Sequence, residues 1–149
     1  MGLMKLTAWL LTLAWVAVVV AGIVCGVSLA HAEEIRGIAT YYTEASCKRE
    51  GTSGVLTASG MPYIETAFTA AMPTRAFGTT WRVCTSDTQR CVNVVQTDYG
   101  PGRKARARGV VIDLTPAAYD ALGGKRGCKA WGCYGEIAEV TVTRLPDAP

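Results

Sequence analysis

Two aspartates bracket the most concentrated polar chemistry in the chain. Asp98 follows the β-branched run at 92–95 and precedes Tyr99-Gly100-Pro101-Gly102, where glycine tolerates positive φ and proline fixes its own, so a strand should end there. Four cations, Arg103, Lys104, Arg106 and Arg108, come next, and a second apolar run at 110–112 delivers Asp113 to the mouth of a short helix. A carboxyl group can give a proton to a leaving oxygen and take one from an attacking hydroxyl, so two acids around a basic loop make a candidate acid–base site. Each aspartate also has a plainer use. Asp98 could form an Asx-turn before Gly-Pro, and Asp113 could support a helix entrance. Four cations in a loop are ordinarily a solvated face.

The chain has 149 residues and an apolar fraction of 50%, inflated by its beginning. Residues 6–30 carry no charge and end at Ala30-His31-Ala32, an A-x-A pattern, which predicts a signal peptide over 1–32 and a domain over 33–149. An uncharged run of this length could also stay uncleaved as a membrane anchor, the only membrane contact expected. Either way the domain is placed in a secreted, periplasmic or cell-envelope setting. Without the leader there are 14 basic and 12 acidic residues, so the domain is weakly basic. Its cations form one loop with no interleaved aromatics, which argues against nucleic acid as a partner. The single histidine, His31, leaves with the leader, which removes Ser-His-Asp and Cys-His nucleophile systems.

Five cysteines remain, and export makes disulfides plausible. Cys84 and Cys91 flank what reads as a hairpin loop, Cys128 and Cys133 enclose four residues, and Cys47 is left as a thiol or as partner to one of the others. The spacing suits zinc poorly, so no metal or other cofactor is expected.

These acids need elements to hold them. Residues 35–42 read as a first strand, followed by a polar loop through Cys47 to Gly54 and a crossing loop at 55–63. Residues 66–72 are taken as a strand because Pro73 would stop a helix after two turns. The segments 77–84 and 92–95 form the best hairpin in the chain. Thr115 as N-cap, Pro116 at the first helical position and Gly123-Gly124 as the stop outline a helix, with Leu114 and Tyr119 as its hydrophobic staple. In the last strand, 136–144, Ile137, Glu139, Thr141 and Thr143 alternate against Ala138, Val140 and Val142. The fold class is therefore mainly β: a compact six-stranded barrel with one or two short helices, expected as a monomer.

Several short pieces, in order, carry a family likeness. They are Gly37-Ile38-Ala39-Thr40-Tyr41-Tyr42, Thr57-Ala58-Ser59-Gly60, Thr69-Ala70-Ala71, Phe77-Gly78-Thr79, Asp98-Tyr99-Gly100-Pro101 and Ile112-Asp113-Leu114-Thr115. Together they resemble the double-psi β-barrel of the rare lipoprotein A group, and more distantly the three-aspartate, barwin and expansin barrels. Two departures stand out. Met61 occupies the family's glutamate position and Met72 its histidine position, and the plain reading of both is that they fill apolar space.

The resemblance implies lytic transglycosylase action on peptidoglycan, or contact with another cell-wall polysaccharide. One carboxyl group would protonate the glycosidic oxygen and then deprotonate the sugar's own 6-hydroxyl, giving an anhydro product. Asp98 is the candidate, with Asp113 second. Candidate substrate contacts are Tyr41, Tyr42, Tyr63 and Tyr99 by stacking, Thr57 and Ser59 within a family piece, and Arg103, Arg106 and Arg108 for anionic groups of the wall. The alternative from another class is a non-catalytic glycan-binding barrel of the expansin or barwin type. The catalytic reading requires Asp98 to face an open, sugar-sized furrow.

Overall fold

The computed structural model describes residues 33–49, 51, 54–87, 89–129 and 132–146, with 129, 132 and 133 described by their backbone alone. The predicted leader, 1–32, lies outside the described residues.

Six strands close into a barrel. They are β1 (Glu34–Tyr41), β2 (Thr69–Met72), β3 (Thr80–Thr85), β4 (Cys91–Tyr99), β5 (Val110–Leu114) and, last in the chain, β8 (Glu136–Arg144). Their order around the barrel is β1-β5-β2-β4-β3-β8, with β8 closing onto β1. Two pairs, β1 with β5 and β2 with β4, run parallel, and the other four pairs are antiparallel. Parallel partners need long crossovers. Here the chain passes through β3 on its way from β2 to β4, and through β2, β3 and β4 on its way from β1 to β5, with β2 slotted between β4 and β5.

Alternation decides what lies inside. Ala39, Met72, Val83, Val94, Ile112 and Val142, one from each strand, are fully buried and belong to one core with Trp81. Closure leaves no free sheet edge, and each strand contributes only one face to the interior. A buried polar group in this wall is satisfied: Gln96 Nε2 donates to the Thr74 carbonyl at 2.6 Å.

Three helices are described where one or two were expected. The segment read as a loop forms α1 (Glu44–Arg49). It starts through a reciprocal cap: the Thr43 amide donates to Ser46 Oγ at 2.8 Å and the Ser46 amide to Thr43 Oγ1 at 3.1 Å, and Glu44 pairs with Lys48 one turn on. The basic loop tightens into α2 (Arg103–Arg106). The expected helix is α3 (Pro116–Ala121), with Thr115 as its N-cap residue. The Thr115 hydroxyl does not cap it, donating instead to the Ala67 carbonyl at 2.6 Å and so tying α3 to the entry of β2. Gly123, at φ +84°, ends α3 in a Schellman turn, its amide bonded to the Asp120 carbonyl and that of Gly124 to the Tyr119 carbonyl.

Cys84 and Cys91 face each other across β3 and β4 and form a disulfide, as their spacing predicts. A small hairpin, β6 (Gly127–Lys129) and β7 (Gly132–Tyr134), sets Cys128 opposite Cys133. Cys128 is disulfide-bonded, and the Cys133 side chain lies outside the described residues. Cys47 sits half-buried on α1.

One strand departs from its expected faces. Glu139 takes φ +57°, and the β1–β8 register slips between Gly37 and Ala39. The kink switches parity within β8, so Ile137 packs on the core with Val140 and Val142 while Ala138 is exposed. Ser86 braces the kink by donating its amide and hydroxyl to the Glu139 carbonyl at 3.2 and 3.0 Å.

Candidate functional site

Asp98 reaches the surface because of a bulge. Val92, Val94 and Gln96 point inward, so strict alternation would send Asp98 inward too. Instead the β2 register jumps from Ala70 opposite Gln96 to Ala71 opposite Asp98, leaving Thr97 as an extra residue buried next to Gln96. Parity flips, and Asp98 emerges half-buried.

On the other side of β2, Ala71 also pairs with Asp113, which pairs in turn with Thr40, and Thr40 with Glu136. Directly paired residues share a face, so Glu136, Thr40, Asp113, Ala71 and Asp98 form one row across five strands. The two aspartates are two strand spacings apart, about 10 Å between Cα atoms. Thr40 donates its hydroxyl to Asp113 Oδ1. Gly100 lies against the middle of the row, where a Cβ would stand 3.3 Å from both the Ala71 methyl and Asp113 Oδ2.

The crossing loop holds Asp98 from outside. Thr57 and Ser59 form its turn: the Thr57 hydroxyl donates to the Met61 carbonyl and lies 3.0 Å from Ser59 Oγ, while the Ser59 amide bonds the Thr97 carbonyl at 3.0 Å. Between them, the Ala58 amide donates to Asp98 Oδ1 at 2.9 Å, and the Tyr99 amide donates to the same oxygen at 2.8 Å. Among the described residues no donor reaches the other oxygen, Oδ2. The Asx-turn use of Asp98 is therefore real, and it occupies one oxygen of the two.

The four tyrosines divide. Tyr42 and Tyr63 pack at 4.9 Å between ring centroids, and the Tyr63 hydroxyl donates to the Tyr42 carbonyl at 2.7 Å. Burial first, and the Asp98 carboxylate next, push the Tyr42 phenol far above its ordinary pKa. Burial also raises Tyr63, helped by Glu65. Tyr99, 47% exposed, has the Arg75 guanidinium over its ring at 5.2 Å. Tyr41 turns the other way, its ring 4.9 Å from that of Tyr119 and its hydroxyl near the carbonyls of Gly127 and Tyr134 on the small hairpin.

The cations lie outward. Arg103 and Arg106 are exposed on α2, and Arg108 pairs with Glu136 at 3.3 Å. Met72 fills apolar space in the core as expected, whereas Met61 is 55% exposed. Sequence reasoning gives Gly100 only a turn role and Glu136 none at the site. Glu136 has no local signal, because its place in the row depends on β8 pairing with β1. Two recesses of about 370 and 560 Å³ follow β8 around Ser86 and Glu139, and their linings include neither aspartate.

The sequence profile of the family described as lytic transglycolase matches residues 34–140, from the start of β1 to the middle of β8, with both aspartates inside the span. No curated protein matches the chain. The match covers most of the sequence and coincides with the closed six-stranded barrel, so the chain belongs to this lytic transglycolase family of rare lipoprotein A-like double-psi β-barrels.

Proposed function

We propose that the protein is exported and cleaves peptidoglycan glycan strands as a lytic transglycosylase, with Asp98 as its acid and base. The observation that carries this is the division of labour within one carboxyl group. Asp98 Oδ1 is held by two amides, which fixes the group's direction, and Oδ2 is left for chemistry. In the first step protonated Asp98 gives its proton to the glycosidic oxygen as that bond to the anomeric carbon breaks. The Asp113 carboxylate, in the same row, faces the positive charge that develops on the sugar. Asp98 then takes the proton of the sugar's 6-hydroxyl as that oxygen attacks the anomeric carbon, which regenerates the acid and leaves an anhydro end. Export is supported by the uncharged run at 6–30 ending in Ala30-His31-Ala32 and by the Cys84–Cys91 disulfide, a bond favoured in oxidising compartments.

The test incubates full-length protein with purified sacculi and with glycan strands stripped of stem peptides, and reads released anhydro-muropeptides by mass spectrometry. Asn at position 98 keeps an oxygen for both amides, so Asp98→Asn should fold normally and lose about 10²- to 10⁴-fold in release rate. An unchanged rate would remove Asp98 from the chemistry. The exposed Tyr99 ring beside Asp98 favours one second reading, a non-catalytic barrel that stacks on sugar faces. Sacculi that capture the protein while no product appears would select it.

A further inference from the structure

The Tyr42 hydroxyl is buried, and among the described residues it has no hydrogen-bond partner. A buried donor without an acceptor is costly, and most native structures avoid it. This one is held in place with unusual care. The Tyr42 amide bonds the Leu114 carbonyl at 3.1 Å, its own carbonyl accepts the Tyr63 hydroxyl, and its ring packs on that of Tyr63. Two residues past Thr40, it lies on the face that carries the acidic row. One loop fixes both sides of the arrangement, since Ala58 grips Asp98 and Tyr63 grips Tyr42. An unpartnered donor thus lies on the face that carries Asp98, whose Oδ2 accepts no hydrogen bond from the described residues.

We propose that Tyr42 is a positioning residue for Asp98: when a glycan binds, its hydroxyl closes onto Asp98 Oδ2 and stabilises the carboxylate formed as the proton leaves. Catalytic hydrogen bonds are often incomplete before substrate arrives and tighten in its complex. The raised phenol, perturbed by Asp98 more than by any other charged group, keeps the hydroxyl protonated as a donor must be. The inference rests on the reading of Asp98 given above. It differs from ring stacking on sugar, which needs no hydroxyl.

Tyr42→Phe removes one oxygen and keeps the ring. On stripped glycan strands, kcat should fall about 10- to 100-fold, as for loss of a hydrogen bond to a charged group, with KM within twofold and Tm unchanged or higher. The double variant Asp98→Asn, Tyr42→Phe should be no slower than Asp98→Asn alone, because a residue acting through Asp98 has nothing to act on once it is gone. An unchanged kcat in an active protein, a parallel fall of kcat and Tm, or additive losses in the double variant would each overturn the role of Tyr42 and leave the reading of Asp98 standing. Wild-type protein that releases no anhydro ends would overturn both.

Discussion

Tyr41 and Tyr42 are neighbours in sequence and belong to different parts of the molecule. Tyr41 faces the closed side, where its ring meets Tyr119 and its hydroxyl approaches two carbonyls of the β6–β7 hairpin. Tyr42 lies on the opposite face, its hydroxyl without a partner among the described residues. Two-residue periodicity alone separates them. Neighbouring residues of one type thus meet different surroundings: the Tyr41 hydroxyl approaches two carbonyls, and the Tyr42 hydroxyl has no partner among the described residues.

The largest effect that could break this comparison is on the closed side. Tyr119 is fully buried, and Cβ atoms placed at Gly124 and Gly135 would stand 2.2 Å from its ring and 2.7 Å from its hydroxyl. Tyr119→Ala should cost about 3–5 kcal/mol, read as a lower midpoint in urea unfolding. A loss of turnover without a loss of stability would instead assign chemistry to the closed side. Next comes Gly100→Ala, which presses a methyl on Ala71 and Asp113 Oδ2 at 3.3 Å. We expect roughly tenfold slower release of anhydro ends with Tm shifted by only a few degrees, in line with the cost of a misplaced catalytic group. Equal damage to rate and stability would merge the two regions.

The smallest effect is alkaline. Burial, then Tyr41, pushes the Tyr119 phenol from 10.0 up to about 12. The folded state therefore holds its proton more tightly than the unfolded state does. That stabilisation is complete below pH 10 and is lost as pH rises from 10 towards 12. Tyr119→Phe, which also deletes a buried hydroxyl with no partner among the described residues, should flatten this decline, and phenolate absorbance should show one late-titrating tyrosine fewer. An unaltered pH dependence of stability would show that Tyr119 is not responsible.

Much of the barrel was legible in the sequence because it depends on local rules. Gly123-Gly124 stops α3, and the Cys84–Cys91 spacing closes a hairpin. What escaped depends on partners far along the chain. The parity switch at Glu139 occurs at a residue with no glycine to announce it, and the Thr43–Ser46 cap builds a helix too short to show a period. At the site, both aspartates could be named from their turns, yet the outward aim of Asp98 comes from Thr97, an unremarkable threonine in a strand. Their common row depends on β2 entering between β4 and β5, which no local pattern encodes.

That insertion of β2 has a further meaning. The distance between the two acids equals the width of the ribbon separating them, so main-chain hydrogen bonding acts as a ruler and side-chain packing has little say in it. Loops on either side can lengthen, shorten or change sequence over evolutionary time while the gauge stays constant. Variation in what the protein grips is thereby uncoupled from the spacing at which it would cut.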